Sequence, residues 1–170
     1  MNIKSSTAAF KQLLEPVAFK AFVDELSIFS NSELHSRYHV LVERYGKDCM
    51  IEATTLRSML FTAILPVAYS YRKELAESAM ALKAIGAGYA SEKAVLDDLE
   101  PITNKLAQLG KELTNAIDTV KDKEPEAFAH YMSGQVLPVL GAIRCQTDLL
   151  EELVPDAKWP FPKYTELLFT

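Results

Sequence analysis

The residues best suited to chemistry are His35 and His39, four apart, with Glu43 a further four along. Side chains at i and i+4 share a helix face, so two imidazoles at this spacing could hold one zinc ion. Zinc normally takes a third protein ligand, and Glu43 lies too far along the helix to reach that ion well. The pair also flanks an apolar stripe instead of a cleft. His35 and His39 are therefore weak metal candidates, and surface histidines are the plainer reading. A di-iron bundle needs a Glu-x-x-His motif on each of two helices. The nearest match is Glu126-x-x-x-His130, which has the wrong spacing.

Other chemistries find no constellation. Cys49 and Cys145 lie about a hundred residues apart inside helical patterns and read as two buried free thiols. Neither has a histidine near it in sequence, and there is no G-x-S-x-G elbow. "AIGAGYA", residues 84–90, holds two glycines but follows a helix, so it reads as an interhelical turn and not a phosphate loop. Asp97, Asp98, Glu100, Glu151 and Glu152 read as a solvated face. The residues alone thus predict no catalytic and no cofactor-binding side chain, and a binding or scaffold role.

The elements that would position these residues are helices. In 170 residues, 49% are hydrophobic and 24% charged, with only six glycines, which suits one soluble, all-α domain. A formal net charge of -5, without a basic stripe, argues against a nucleic-acid partner. The N-terminus lacks the apolar core of a signal peptide. The longest apolar stretch, Met59 to Tyr69, is about half of the ~20 residues a membrane span needs. A soluble, cytoplasmic chain with no membrane partner is the expectation.

The periodicity predicts about four long, partly proline-kinked helices and an extended aromatic tail. A first helix or helix pair lies within residues 1–30, split or kinked at Pro16. Residues 31–154 form the bundle and 155–170 a docking tail. Ser30 and Glu33 have the form of a capping box. Leu34, Tyr38, Leu41 and Tyr45 form one stripe, and a new long pattern begins after Gly46 and runs to Ile85. Pro66 removes one backbone hydrogen bond within it and clashes with the Thr62 carbonyl, which predicts a kink. Between Met59 and Tyr69 this helix is apolar nearly all round, so it must be covered on several sides, by its own bundle or by another chain. Val95, Leu99, Ile102, Leu106, Leu109, Leu113, Ala116 and Val120 form a heptad seam, with Pro101 expected to kink it or mark its start. The last helix opens near Pro125. Its seam is Met132, Val136, Val139, Ile143, Gln146, Leu150 and Leu153, with Pro138 inside and Gln146 as its one polar layer, either a buried amide that fixes register or a residue at the seam's margin.

Three stretches, in order, carry a resemblance: "SRYHVLVERYGKDCMIEATTLRSMLFTAILP" (36–66), "AHYMSGQVLPVLGAIRCQTDLLEELV" (129–154) and "WPFPKYTELLF" (159–169). Together they resemble the C-terminal region of the type III glutamine synthetases. The matching features are Arg37-Tyr38, the run from Lys47 to Ala53, Ile64 to Pro66, the interior Pro138, and above all the closing aromatic signature.

The resemblance implies a non-catalytic helical domain of an enzyme that joins ammonia to glutamate with ATP and a divalent metal, Mg or Mn. The family's metal, ATP and glutamate motifs do not occur in these residues, so no cofactor is expected in this chain. Its implied partners are the catalytic domains and neighbouring subunits of a homo-oligomer, with an assembly or regulatory role. The alternatives are a free-standing helical adaptor and, third, a bundle binding metal through His35 and His39. In the leading reading the structural residues are Pro66, Pro138, Trp159, Phe161, Tyr164, Leu168 and Phe169. The tail prolines hold their segment extended while the rings enter a groove between helices.

Overall fold

A computed structural model describes residues 6–120, 123–162 and 166. Among them every regular element is helical, and the fold is an all-α bundle of four helical stretches. The first is broken: α1 (Ser6–Lys11), a 3₁₀ turn (Gln12–Leu14), and α2 (Pro16–Phe19), which widens into a π turn over Lys20–Glu25. Pro16 sits at the first position of α2, where a missing N–H costs nothing.

The capping box is present. The Ser30 backbone N–H donates to Glu33 Oε2 at 2.7 Å, and the Glu33 N–H donates back to Ser30 Oγ at 3.3 Å. The Ser30 N–H, and the Ser30 hydroxyl that also donates to Glu33 Oε2 at 2.8 Å, hold the Glu33 carboxyl below its usual range, and the reciprocal bonds cap the helix. They start α3 (Asn31–Met59), which continues through a π turn (Leu60–Ile64) into α4 (Leu65–Ala84). Gly46 does not divide this run, contrary to the sequence reading. A Cβ there would lie 2.4 Å from Phe128 Cδ1, so the glycine serves close approach of a ring and not a turn. Helix α4 ends on Gly86, whose φ of 74° is open to glycine at little cost. The Ala87 N–H bonds to Leu82 O and the Gly86 N–H to Lys83 O, the paired bonds of a Schellman motif. "AIGAGYA" is therefore the interhelical turn expected.

Helix α5 spans Ala90–Val120 and carries Pro101 well inside it, so the proline does not mark the start. Its buried stripe is Leu99, Thr103, Leu106, Leu109, Gly110, Leu113, Ile117 and Val120. Five of these are seam positions read from the sequence. Ile102 and Ala116 are only half-buried, and the register steps one residue on to Thr103 and Ile117. Thr103 tolerates burial because its hydroxyl donates to Leu99 O at 2.7 Å. Gly110 lets a neighbour in: a Cβ there would lie 2.8 Å from Phe61 Cζ and 2.9 Å from Leu60 Cδ2.

The last stretch is α6 (Pro125–Tyr131), a π turn (Met132–Val136) and α7 (Leu137–Leu153). Where the sequence predicts kinks at Pro66 and Pro138, the structure has π turns, each ending two residues before its proline. The N–H ahead of each proline reaches five residues back, Leu65 to Leu60 O and Leu137 to Met132 O. Widening the turn by one residue relieves the clash between a proline ring and the carbonyl four residues earlier.

By compactness the chain divides into two units. Residues 1–54 with 115–138 form the first, and residues 55–114 with 139–170 the second. In the first, Tyr38, Val42 and Ala129 form a buried cluster against which Phe10, Leu14 and Tyr45 pack, with the Phe10 and Tyr45 rings edge to face at 5.8 Å. In the second, Leu60, Ile64, Leu99, Leu106, Leu113, Ile143 and Leu150 are buried to within a few per cent.

Candidate functional site

The two halves of the proposed metal pair, His35 and His39, are both exposed on α3. Glu43 is held by Lys47 at 2.6 Å, and that bond and charge lower its carboxyl. Among the described residues no group of three or more His, Cys, Asp or Glu is placed to hold a metal ion. The donor set therefore does not fit a divalent ion. The cysteines part company: Cys49 is buried, and burial pushes its thiol up, whereas Cys145 is exposed, which corrects the reading of two buried thiols. Cys145 sits on the outer side of α7 because the buried line there runs through Ile143 and Leu150.

Two constellations are built by the fold instead. The first lies in the first unit, where Tyr38 is 4% exposed. Its hydroxyl donates to Glu126 Oε1 at 2.9 Å, and Lys11 Nζ lies 3.0 Å from the same oxygen. Burial, the Glu126 hydrogen bond and the Glu126 charge push the Tyr38 phenol up to about 12. Lys11, then Tyr38, pull the Glu126 carboxyl down. Glu126 belongs to the Glu126-x-x-x-His130 stretch set aside for its spacing. Its true partners lie 88 residues away on α3 and on α1, which no local pattern reveals.

The second lies in the second unit, around the end of the chain. A 3₁₀ turn, Asp156–Lys158, delivers Trp159, whose N–H bonds to Pro155 O and Asp156 O. Trp159 is extended at φ -67° and ψ 127°, as a residue before proline must be, and is only 9% exposed. Phe161 is half-buried, while Pro160 and Pro162 are exposed. Lys158 reaches Glu74 on α4 at 2.6 Å. Tyr164, Leu168 and Phe169 lie outside the described residues. Pro66 and Pro138 are exposed and act on the backbone through the π turns before them.

A cavity of ≈ 260 Å³ opens beside this tail. Trp159, Phe161 and Pro162 form one wall, and Leu56, Met59 and Ile64 another. Arg144, Thr147, Asp148 and Glu151 line it from α7, at the spacing of one helix face. Arg144 Nε donates to Asp148 Oδ1 at 2.8 Å. Periodicity pointed to Gln146 as the polar layer of this helix. The buried polar atom is its neighbour, Thr147 Oγ1, and Gln146 sits half-buried at the margin.

A family model described as the glutamine synthetase C-terminal domain matches residues 1–83. The chain is 30% identical over 175 residues to a type-3 glutamine synthetase of Dictyostelium discoideum, covering 99% of this chain and 24% of that protein. It is 32% identical over 152 residues to a glutamine synthetase of Bacteroides fragilis, covering 84% of this chain and 21% of that one. A glutamine synthetase of Butyrivibrio fibrisolvens is 31% identical over 149 residues, again covering 84% of this chain. The chain thus spans about a quarter or less of the length of the relatives it matches.

Proposed function

The chain belongs among the glutamine synthetase C-terminal domains, and from that premise we propose that it packs against the catalytic part of such an enzyme and contributes to its assembly. In this reading the whole enzyme ligates ammonia to glutamate with ATP and a Mg or Mn ion bound elsewhere, and no residue of this chain takes part in the chemistry. The chain works in the cytoplasm within a homo-oligomer, and its 170 residues act as one module. Trp159 and Phe161 fasten the end of the chain to the second unit.

The observation that carries the assembly role is an uncharged, under-covered helix surface. From Met59 to Tyr69 there is no charged residue, yet Phe61 is 43% and Tyr69 50% exposed, and Met80 and Ile85 further along are 72% and 78% exposed. Several large apolar side chains left facing water along one helical stretch support an interaction role for it. The run Asn31–Ala84 is also long and apolar enough to cross a membrane by length and composition, with mean hydropathy 1.2 in its best window and 22% of that window buried. This exceeds the sequence reading, which measured only the apolar stretch. A protein partner suits the surface better than lipid, because Arg72, Lys73, Glu74 and Glu77 follow within two turns of Tyr69.

The test is co-expression of this chain with a glutamine synthetase lacking its C-terminal region. Co-elution of the two in one large oligomer is expected. Separate elution, with the shortened enzyme assembling unaided, would overturn the assembly role.

A further inference from the structure

Among the described residues, Ser27 is the one non-glycine with a positive φ, at 50°. A residue with a Cβ is strained in that region, which glycine occupies at little cost. Leu26 and Ile28 are both more than half exposed, so two large apolar side chains flank the strained residue in water. Ser27 lies in the five residues, 26–30, that join the broken first stretch to α3. Both ends of this connection are fixed. The Leu26 N–H bonds to Ala21 O at 3.0 Å, which ties it to the turn before it. On the far side the Arg37 guanidinium lies 4.4 Å from the centre of the Phe29 ring, and Ser30 caps α3. Turning therefore falls on Ser27 and Ile28. A short connection held under strain is the kind of hinge that favours exchange of an element between copies.

The arm that this hinge carries, residues 6–25, is built to be moved as a piece. Its four elements are each six residues or fewer, too short to be stable helices on their own, so docking holds them in shape. Phe10 and Leu14 pack against Tyr38, Val42 and Ala129, the Phe10 ring meets that of Tyr45, and Lys11 reaches Glu126 at 3.0 Å. Each of these contacts joins a side chain before the hinge to one after it. A second copy of the chain therefore offers the arm an identical seat.

We propose that two copies of this chain exchange residues 6–25, with Phe10 and Leu14 of each copy seated on Tyr38, Val42 and Ala129 of the other. The contacts of the seated arm are the same in monomer and dimer, so they cancel between the two. What differs is the hinge. Ser27 leaves the strained region in both copies, and the two hinges pass each other at the two-fold axis, where Leu26 and Ile28 of one copy meet those of the other. These gains oppose the entropy lost on association. The exchange needs only this chain and does not depend on packing against a catalytic part.

The test refolds the full chain at low and at high concentration and measures its mass by light scattering after size exclusion. A dimer whose share rises with concentration is expected. Ser27→Gly accepts the closed hinge and should weaken dimerisation about tenfold. Ser27→Pro cannot adopt a positive φ and should strengthen dimerisation by about tenfold or more, since two hinges relax per dimer. A parent chain that stays monomeric throughout would overturn the proposal, as would a dimer that Ser27→Gly leaves unchanged. A charge-reversal pair then separates arm exchange from any other dimer, whether or not Ser27→Pro folds. Lys11→Glu and Glu126→Lys each set like charges against one another at the arm's seat. Refolded together, the two variants regain opposite charges at both seats only when their arms are exchanged. The mixed dimer should then exceed random pairing several-fold, and pairing at random would overturn the exchange.

Discussion

The two units each fasten chain segments more than eighty residues apart, and they do so by different physics. In the first, Tyr38 and Glu126, 88 residues apart, meet through a phenol and a carboxylate, with Lys11 on the same oxygen. In the second, Lys158 and Glu74, 84 residues apart, form an ion pair at 2.6 Å, and next to it Trp159 is withdrawn from water. Both ion pairs are half-exposed and worth well under 1 kcal/mol each. The difference lies in what accompanies them. Tyr38 adds a directional bond to a carboxylate, which contributes about 1 kcal/mol and depends on protonation. Trp159 adds area, which contributes more and is indifferent to pH.

Trp159→Ala should therefore have the largest effect. A loss of about 3 kcal/mol, or roughly 10 °C in melting temperature, is expected from calorimetry. An unchanged melting temperature would show that the tail is not fastened by this ring. Next comes Tyr38→Phe, at about 1 kcal/mol, and its signature is the pH dependence. The folded Tyr38 phenol titrates at about 12, above its ordinary value of 10.0, so its stabilisation is complete below pH 10 and is lost as pH rises towards 12. Alkaline melts of the parent and of Tyr38→Phe should converge over that window. Parallel curves would remove Tyr38 from the comparison. The smallest effect is Lys11→Met, within about 0.5 kcal/mol and fading further in high salt. A larger loss would mean that the Lys11 to Glu126 pair is better shielded than its exposure implies.

How much could be read beforehand depends on the range of the interaction. Ser30 and Glu33 cap a helix with groups three residues apart, and sequence shows such a pair directly. The turn at Gly86 and the buried positions Leu99, Leu106, Leu113 and Val120 were legible for the same reason. The step from Ile102 to Thr103 was not, because a buried threonine looks polar until its bond to Leu99 O is seen. Gly46 looked like a break because its reason, the Phe128 ring, lies 82 positions along the chain. Pro66 and Pro138 announced a disturbance, but periodicity does not separate a kink from a π turn. At the cavity Trp159 and Phe161 stand out in the sequence by their aromatic type, whereas Thr147, hidden beside Gln146, does not.

Sequence by itself determined the helical class, the main capping and turn devices, part of the buried faces and the likeness to glutamine synthetase C-terminal regions. Each of these rests on residues within a few turns of one another, or on a motif read in order. Tertiary structure alone decided that Glu126 meets Tyr38 and Lys11. It also decided that Gly46 and Gly110 are gaps for rings, and that Thr147 faces a cavity with no partner of its own. Those outcomes depend on which side chain arrives from a distant segment, and chain spacing carries no record of that.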